Sequence, residues 1–308
     1  MINKTTLKLN TGAEIPQLGL GTWQSSTSQA YDAVLAALKA GYRHIDTAAI
    51  YKNEVEVGRA IRDSGIPREE LFITTKLFGV QYREPDVGLA DSLERLGLDY
   101  VDLYLMHWPV PLKPKPGSTK MDRLQVLFND DGTRQLDIDD WDFIKTYALM
   151  QDLVKSGKTK AIGVSNFSIN NLKQLLDAET TTITPAANQC ECHPLLPQTE
   201  LIEFCKSKGI LFEAYSPLGS TDSPLFTNTT LKSIADKYGV SIPQILINWA
   251  FKRGYVVLPK STNPDRIVKN GEVLDWSDED FNKVTDLVKV EGEQRMIKPN
   301  WEPFPIFE

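Results

Sequence analysis

Asp46, Tyr51, Lys76 and His107 are the residues of this 308-residue chain best suited to move a proton. A tyrosine hydroxyl, with an ordinary pKa of about 10, is too weak an acid near neutrality. A lysine cation beside it favours the phenolate and lowers that value, and a carboxylate keeps the lysine charged and in place. Tyr51, Lys76 and Asp46 supply those three parts. His107 adds a group able to hydrogen-bond a substrate carbonyl and orient it. Such an assembly suits protonation of a carbonyl oxygen as a hydride reaches its carbon, and the hydride calls for a nicotinamide cofactor.

The four can act together only if the fold gathers them. Each stands at or just past the end of a strand-like run: residues 42–46 (YRHID), 71–76 (LFITTK) and 101–107 (VDLYLMH). Helical patterns separate these runs, so the strands read as parallel neighbours in a βα repeat. In a closed parallel barrel the C-terminal strand ends converge on one face, where active sites are built. The rhythm continues with further strands at 161–165, 186–191, 211–215 and 256–259, after a first strand at 18–21. Eight strands predict an α/β fold, a (β/α)8 TIM barrel forming one domain over residues 1–308. An N-terminal β-hairpin over 7–17 is expected to plug its bottom, and two extra helices lie at 229–238 and 242–253. Tyr31, Val34, Leu35 and Leu38 predict a helix closed by Gly41, and Asn53 with Glu54 and Glu56 predicts a helix start favoured by the dipole. Residues 110–139 form a large loop leaving directly after His107, read as a wall of the site. The tail, 291–308, carries Trp301, Phe304 and Phe307 and is expected to fold over the barrel mouth.

A cofactor site is legible at the last strand. Gly19, Gly21 and Gln24 begin like a dinucleotide fingerprint, but the final glycine is missing and the run lies on a first barrel strand, so that reading fails. Barrels place phosphates after strands seven and eight. There Asn263 and Pro264 start a helix whose free N–H groups, with Lys260, Ser261 and Arg266, make an anion site. Two cations and a hydroxyl suit a ribose 2′-phosphate, which favours NADPH over NADH.

Composition narrows the alternatives. A net charge of −7 and a pI near 5.2 argue against nucleic acid or an anionic membrane as partner. The chain shows neither a secretory signal nor a stretch of about 18 apolar residues, so it reads as cytoplasmic. Cys190, Cys192 and Cys205 lack a framework of spacings, as in a reducing compartment. Cys190, Cys192 and His193 form a C-x-C-H run without a second ligand pair, so no metal is expected.

Six long, ordered segments then show that the chain resembles the aldo-keto reductase superfamily over nearly its whole length. They are GYRHIDTAAIYKNEVEVG at 41–58, DLYLMHWP at 102–109, GVSNF at 163–167, ANQCECHP at 187–194, YSPLGS at 215–220 and LPKSTNPDRI at 258–267. Within it the chain resembles the yeast-type NADP-dependent reductases. The resemblance implies Tyr51 as proton donor, Lys76 and Asp46 as its tuning pair, and His107 as the carbonyl orienter. It implies nicotinamide contacts from Ser165, Asn166 and Gln189, with Tyr215 stacked on the ring, and places Gly21, Thr22, Trp23 and Asp46 beside the cofactor. Ser216, Leu218 and Ser220 would line the pyrophosphate, and Lys260, Ser261, Asn263, Arg266 and Asn270 would hold the adenosine 2′-phosphate end. Trp23, Phe78 and Trp108, with Tyr51 and His107, would form the substrate pocket. Phe78 stands where many relatives carry Trp, which bears on substrate preference, and Lys269 where many carry Glu against the adenine. The implied activity is NADPH-dependent reduction of aldehydes, ketones and keto esters by a monomer. NADP-dependent oxidation of glycerol or another polyol is the alternative, and a non-enzymatic NADPH-binding protein is the reading from another class.

Overall fold

The computed structural model describes residues 1–118 and 123–308. β1 (Thr6–Lys8) and β2 (Glu14–Pro16) form an antiparallel hairpin with Leu7 opposite Ile15. The main sheet is parallel and follows chain order: β3 (Leu20–Gly21), β4 (His44–Asp46), β5 (Phe72–Leu77), β6 (Val101–Met106), β7 (Thr159–Ser165), β8 (Ala187–Glu191), β9 (Leu211–Tyr215) and β10 (Val256–Leu258). It closes on itself. Val257 N donates to Gln17 O, Gly19 N to Val257 O and Gly21 N to Pro259 O, so the last strand pairs with the segment entering the first. The (β/α)8 barrel expected from the sequence is therefore present, with its C-terminal strand ends on one rim.

The barrel interior holds Phe72, Leu103, Leu105, Ala161, Ala187, Val256 and Leu258, and Leu9 and Ile15 of the hairpin pack into the same cluster. The hairpin thus seals the bottom with side chains that would otherwise face water. Around the sheet run α1 (Thr27–Ala40), α2 (Glu54–Asp63), α3 (Pro85–Leu96), α4 (Phe143–Lys155), α5 (Ile169–Asp177), α6 (Thr199–Ser207), α7 (Thr229–Tyr238), α8 (Ile242–Arg253) and α9 (Pro264–Asn270). The expected extra pair is α7 and α8, both between β9 and β10. Beyond α9 the chain adds α10 (Asp278–Thr285) and α11 (Leu287–Glu291), which the sequence reading does not assign. The Ser277 side chain opens α10 by accepting from Asp280 N.

Local sequence explains these elements. α1 buries Ala30, Ala33, Val34, Ala37 and Leu38 as one stripe, and Gly41 ends it at φ 108, in the left-handed region. Gly58 of α2 lets α3 approach so closely that a Cβ there would lie 1.9 Å from Leu96 O. The start of α2 departs from expectation. Asn53 makes no side-chain cap; its amide donates to Thr22 O (2.9 Å) and Ser25 O (3.2 Å), tying down the loop after β3. Glu54 is buried and accepts from Thr75 Oγ1 (2.5 Å) and Arg95 Nε (2.8 Å), so it serves as a buried ion-pair partner as well as a dipole complement.

Candidate active site

The strand ends gather all four proposed catalytic residues. Lys76, on β5, is fully buried, and its Nζ donates to Asp46 Oδ1 at 2.5 Å and to Thr47 O at 3.0 Å. A lysine without such partners would shed its proton in this environment. Burial opposes its charge, but Asp46, Tyr51 and Glu213 outweigh that and hold it above the ordinary lysine range. Tyr51 sits in a 3-10 turn (Ala49–Tyr51) after β4, with Lys76 Nζ 5.2 Å from its ring centroid. His107 follows β6, its N–H donating to Leu77 O at 3.0 Å, and its ring meets the Tyr51 ring edge-on at 5.7 Å.

The electrostatics correct one expectation. Burial pushes the Tyr51 hydroxyl above the ordinary tyrosine value, and Lys76 limits that rise without producing a net lowering. Tyr51 therefore stands firmly protonated, as a donor must. Burial, and then the Lys76 cation, hold His107 well below the usual histidine range, so it is a neutral imidazole. Its Nδ1 is buried without a hydrogen-bond partner. Such an atom is expensive to leave unmatched.

A second layer joins the tetrad to β7, β8 and β9. Gln189 Nε2 donates to Asp46 Oδ2 (2.7 Å) and to Glu213 Oε2 (3.0 Å), leaving its carbonyl oxygen as the group it can offer a ligand. Asn166 donates to His107 O (2.9 Å) and to Ser165 Oγ (3.1 Å), and accepts from Tyr215 OH (2.7 Å). Asn166, Ser216, Ser220 and Gln24 line the cavity and all adopt positive φ without being glycine. Backbone in that region is held only where surrounding structure over-determines it, and it clusters at binding sites. Glu213 was not singled out from the sequence, although a carboxylate inside the run LFEAY is the kind of signal that could have revealed it. It is fully buried, its Oε1 has no partner, and burial together with Asp46 raises its pKa to about 7.

Asp46, Tyr51, His107, Asn166 and Gln189 face a cavity of about 850 Å³ running along the rim, with Lys76 and Glu213 behind them. Of the expected lining residues, Gly21, Thr22, Trp23, Asp46, Tyr51, Phe78, His107, Trp108, Ser165, Asn166, Gln189, Tyr215, Ser216, Leu218, Ser220, Lys260, Ser261, Arg266 and Asn270 all line it. Asn263 does not. Its Oδ1 accepts from Arg266 N at 3.0 Å, and its own N–H goes to Ser261 Oγ. Arg266 N is thus satisfied internally and Pro264 has no N–H, which leaves the Lys260 and Arg266 side chains as the chief groups there able to meet an anion. Among the described residues neither cation has an ion-pair partner, while burial and Arg266 together lower the Lys260 pKa. Thr262 joins this end of the lining and was not expected.

The 110–139 loop and the tail supply the other wall, as the sequence suggested. Val126, Phe128 and Arg134 reach the cavity from the loop, and Ile297, Pro299 and Trp301 from the tail. Trp301 packs 5.4 Å from Trp108, centroid to centroid. The buried Glu191 carboxylate fastens the tail, accepting from Met296 N (2.7 Å) and Ile297 N (2.9 Å). Its other contact, His193 Nε2 at 2.9 Å, accounts for the histidine of the C-x-C-H run. Cys190 and Cys192 donate to Asn188 Oδ1 and Pro197 O, and no group of three potential ligands for a metal is found among the described residues.

A closed parallel barrel with a buried lysine–carboxylate pair behind a tyrosine at its C-terminal rim defines an α/β-barrel enzyme of the proton-transfer type. The comparisons sharpen this. Residues 17–289 match the Aldo/keto reductase family, and the chain belongs to that family. It is 61% identical to glycerol 2-dehydrogenase (NADP(+)) of Saccharomyces cerevisiae over 302 residues, covering 98% of this chain and 96% of that protein. It is 57% identical to aldehyde reductase YPR1 of the same yeast, covering 99% and 98%. The structure of the aldose reductase from Schistosoma japonicum superposes with a TM-score of 0.84 at 34% identity, over 95% of this chain and 94% of that one.

Proposed function

We propose that the protein reduces aldehydes and ketones, keto esters among them, to alcohols with NADPH, and that Tyr51 donates the proton. The observation that carries this is the buried Lys76–Asp46 pair set behind Tyr51 at a cavity whose far end holds Lys260 and Arg266, two cations without an ion-pair partner among the described residues. The names of the two yeast relatives, an NADP(+) dehydrogenase and an aldehyde reductase, point the same way.

The cavity suits a phosphate-bearing nicotinamide dinucleotide. Lys260 and Arg266 would take the 2′-phosphate, with Ser261 and Asn270 beside them, and Ser216, Leu218 and Ser220 would line the pyrophosphate. Ser165, Asn166 and Gln189 would hold the nicotinamide, with Tyr215 on its face and Gly21, Thr22 and Trp23 alongside. When bound, the cofactor supplies the hydride. His107, held neutral, donates to the substrate carbonyl and orients it. Tyr51 releases its proton to the carbonyl oxygen as negative charge develops there, and Lys76 stabilises the phenolate left behind. Asp46 keeps Lys76 charged through the cycle. Trp23, Phe78 and Trp108 exclude water from the reacting centre.

The same groups run in reverse for alcohol oxidation, and the glycerol 2-dehydrogenase relative favours a polyol as the substrate in that direction. The complete tetrad weighs against a purely binding role. No helix among the described residues is long and apolar enough to cross a membrane. We propose separately a cytoplasmic monomer folded as one domain over 1–308.

The test follows NADPH and NADH oxidation with an aromatic aldehyde and a β-keto ester. Tyr51→Phe should lower kcat by about 10²–10⁴-fold while NADPH still binds. Arg266→Ala should relax the preference for NADPH over NADH. A fully active Tyr51→Phe protein would overturn the assignment of the acid.

A further inference from the structure

We propose that Arg134 makes the outer end of the substrate cavity a carboxylate subsite, so that the enzyme favours aldehydes and ketones bearing an anionic group remote from the reacting carbonyl. This rests on the reductase reading above and specifies its substrate class.

The substrate end of the cavity is built from Phe78, Trp108, Val126, Phe128 and Trp301. Among the described residues Arg134 is the one charged side chain lining that end; the other charged groups of the cavity are Asp46 in the tetrad and Lys260 and Arg266 at the opposite end. No carboxylate among the described residues pairs with it. Burial lowers its pKa and no anion counters that effect. A partly desolvated cation without a counter-charge in an aromatic pocket is unfavourable in the free protein and becomes favourable when a ligand brings the missing anion.

The cation is also held in place. Its NH1 donates to Asn300 O, and its guanidinium lies 4.5 Å over the Trp301 ring. Its backbone is fixed by the bridge to Phe128 and by Gln135 N donating to Leu127 O at 2.9 Å. Stacking on an aromatic face and one hydrogen bond leave the rest of the guanidinium fork able to meet a planar carboxylate. The position is right for a distal group: His107 stacks on Trp108 at 6.4 Å, Trp108 packs on Trp301 at 5.4 Å, and Arg134 caps Trp301. A substrate whose carbonyl meets His107 would run along these rings and end at Arg134.

The alternative is that Arg134 serves only to strap the tail through Asn300. The two roles separate when each acid is compared with its own methyl ester. Measured kcat/KM for 4-formylbenzoate and straight-chain ω-oxo acids of graded length, each against its ester, should show at least one acid favoured in the parent by about 10-fold, the scale of one charge-assisted hydrogen bond. Arg134→Met should bring that ratio down towards one through KM of the acid, Arg134→Lys should restore part of it, and added salt should weaken it in the parent. NADPH affinity, read by fluorescence, tracks the other end of the cavity and should not follow the ratio. An acid-to-ester ratio that survives Arg134→Met, with both substrates falling together, would mean a strap and would overturn the subsite. So would a parent that prefers the ester at every length. Absence of turnover with every ester and acid in the parent would overturn the reductase reading itself.

Discussion

The two walls of the cavity are built in different ways. On the barrel side, Lys76, Gln189 and Glu213 project from strands β5, β8 and β9, are fully or almost fully buried, and are linked through Asp46 at the end of β4. On the outer side, Val126, Phe128, Arg134 and Trp301 come from a loop and a tail, joined by ring contacts and a few backbone hydrogen bonds. The barrel side is positioned by a closed parallel sheet that cannot shift one strand without breaking its neighbours. The outer side is positioned by latches that can be removed singly. On the proposed reading the reaction chemistry belongs to the barrel side and substrate choice to the outer side, and variants on the two sides should fail differently.

The largest effect is expected from Lys76→Met. It removes the cation that both Asp46 and Glu213 face, leaving buried carboxyl groups without compensation. Breaking a buried pair in this way costs about 3–5 kcal/mol. Urea unfolding should show that loss together with collapsed turnover, because stability and chemistry depend on the same group. A Lys76→Met protein as stable as the parent would show that the barrel side is less tightly coupled than its geometry indicates.

The contrast between the walls also governs what could be read from the sequence. Strand-end placement is a periodic signal, so the barrel and its tetrad were legible from runs such as LFITTK and VDLYLMH. The tail was legible as apolar residues that must cover something. Partners fixed by side-chain geometry were not. Asn53 looked like a cap and instead reaches back to Thr22 and Ser25; Asn263 caps α9 as its place before Pro264 suggested, but its side-chain oxygen is taken up by that cap and it does not line the cavity. A side-chain amide suits both uses, and only the neighbouring backbone decides between them. The net pKa of Tyr51 was misjudged in sign because burial depends on residues distant in sequence.

Glu213→Gln probes the barrel side more gently. Burial, then the Asp46 charge, lift the Glu213 pKa from 4.5 to about 7. Between those values the folded protein keeps a proton that the unfolded chain has released, so the stability this group contributes is full at low pH and is lost as pH rises through about 7. Glutamine cannot ionise and can still accept from Gln189. Between about pH 5 and pH 8 the parent should therefore lose up to on the order of 3 kcal/mol relative to the variant. Unfolding curves that stay parallel across that range would place the proton elsewhere in the Asp46–Gln189–Glu213 group.

Glu191→Gln tests the outer side and should give the smallest loss. The parent carboxylate accepts one tail N–H on each oxygen, Met296 on Oε1 and Ile297 on Oε2, with His193 also on Oε1. Glutamine offers one carbonyl oxygen and one amide, so one tail N–H must face another donor. The loss is about 1–3 kcal/mol, the range for leaving a buried donor without its partner. Because α10 and α11 precede the latch and the barrel closes without the tail, this loss should stay local. Hydrogen exchange should quicken at 296–301, and KM for the carbonyl substrate should rise through the loosened Trp301 wall, while NADPH affinity at Lys260 and Arg266 holds. A uniform drop in stability without faster exchange in the tail would mean that Glu191 supports the barrel rather than its rim, and the division between the two walls would have to be redrawn.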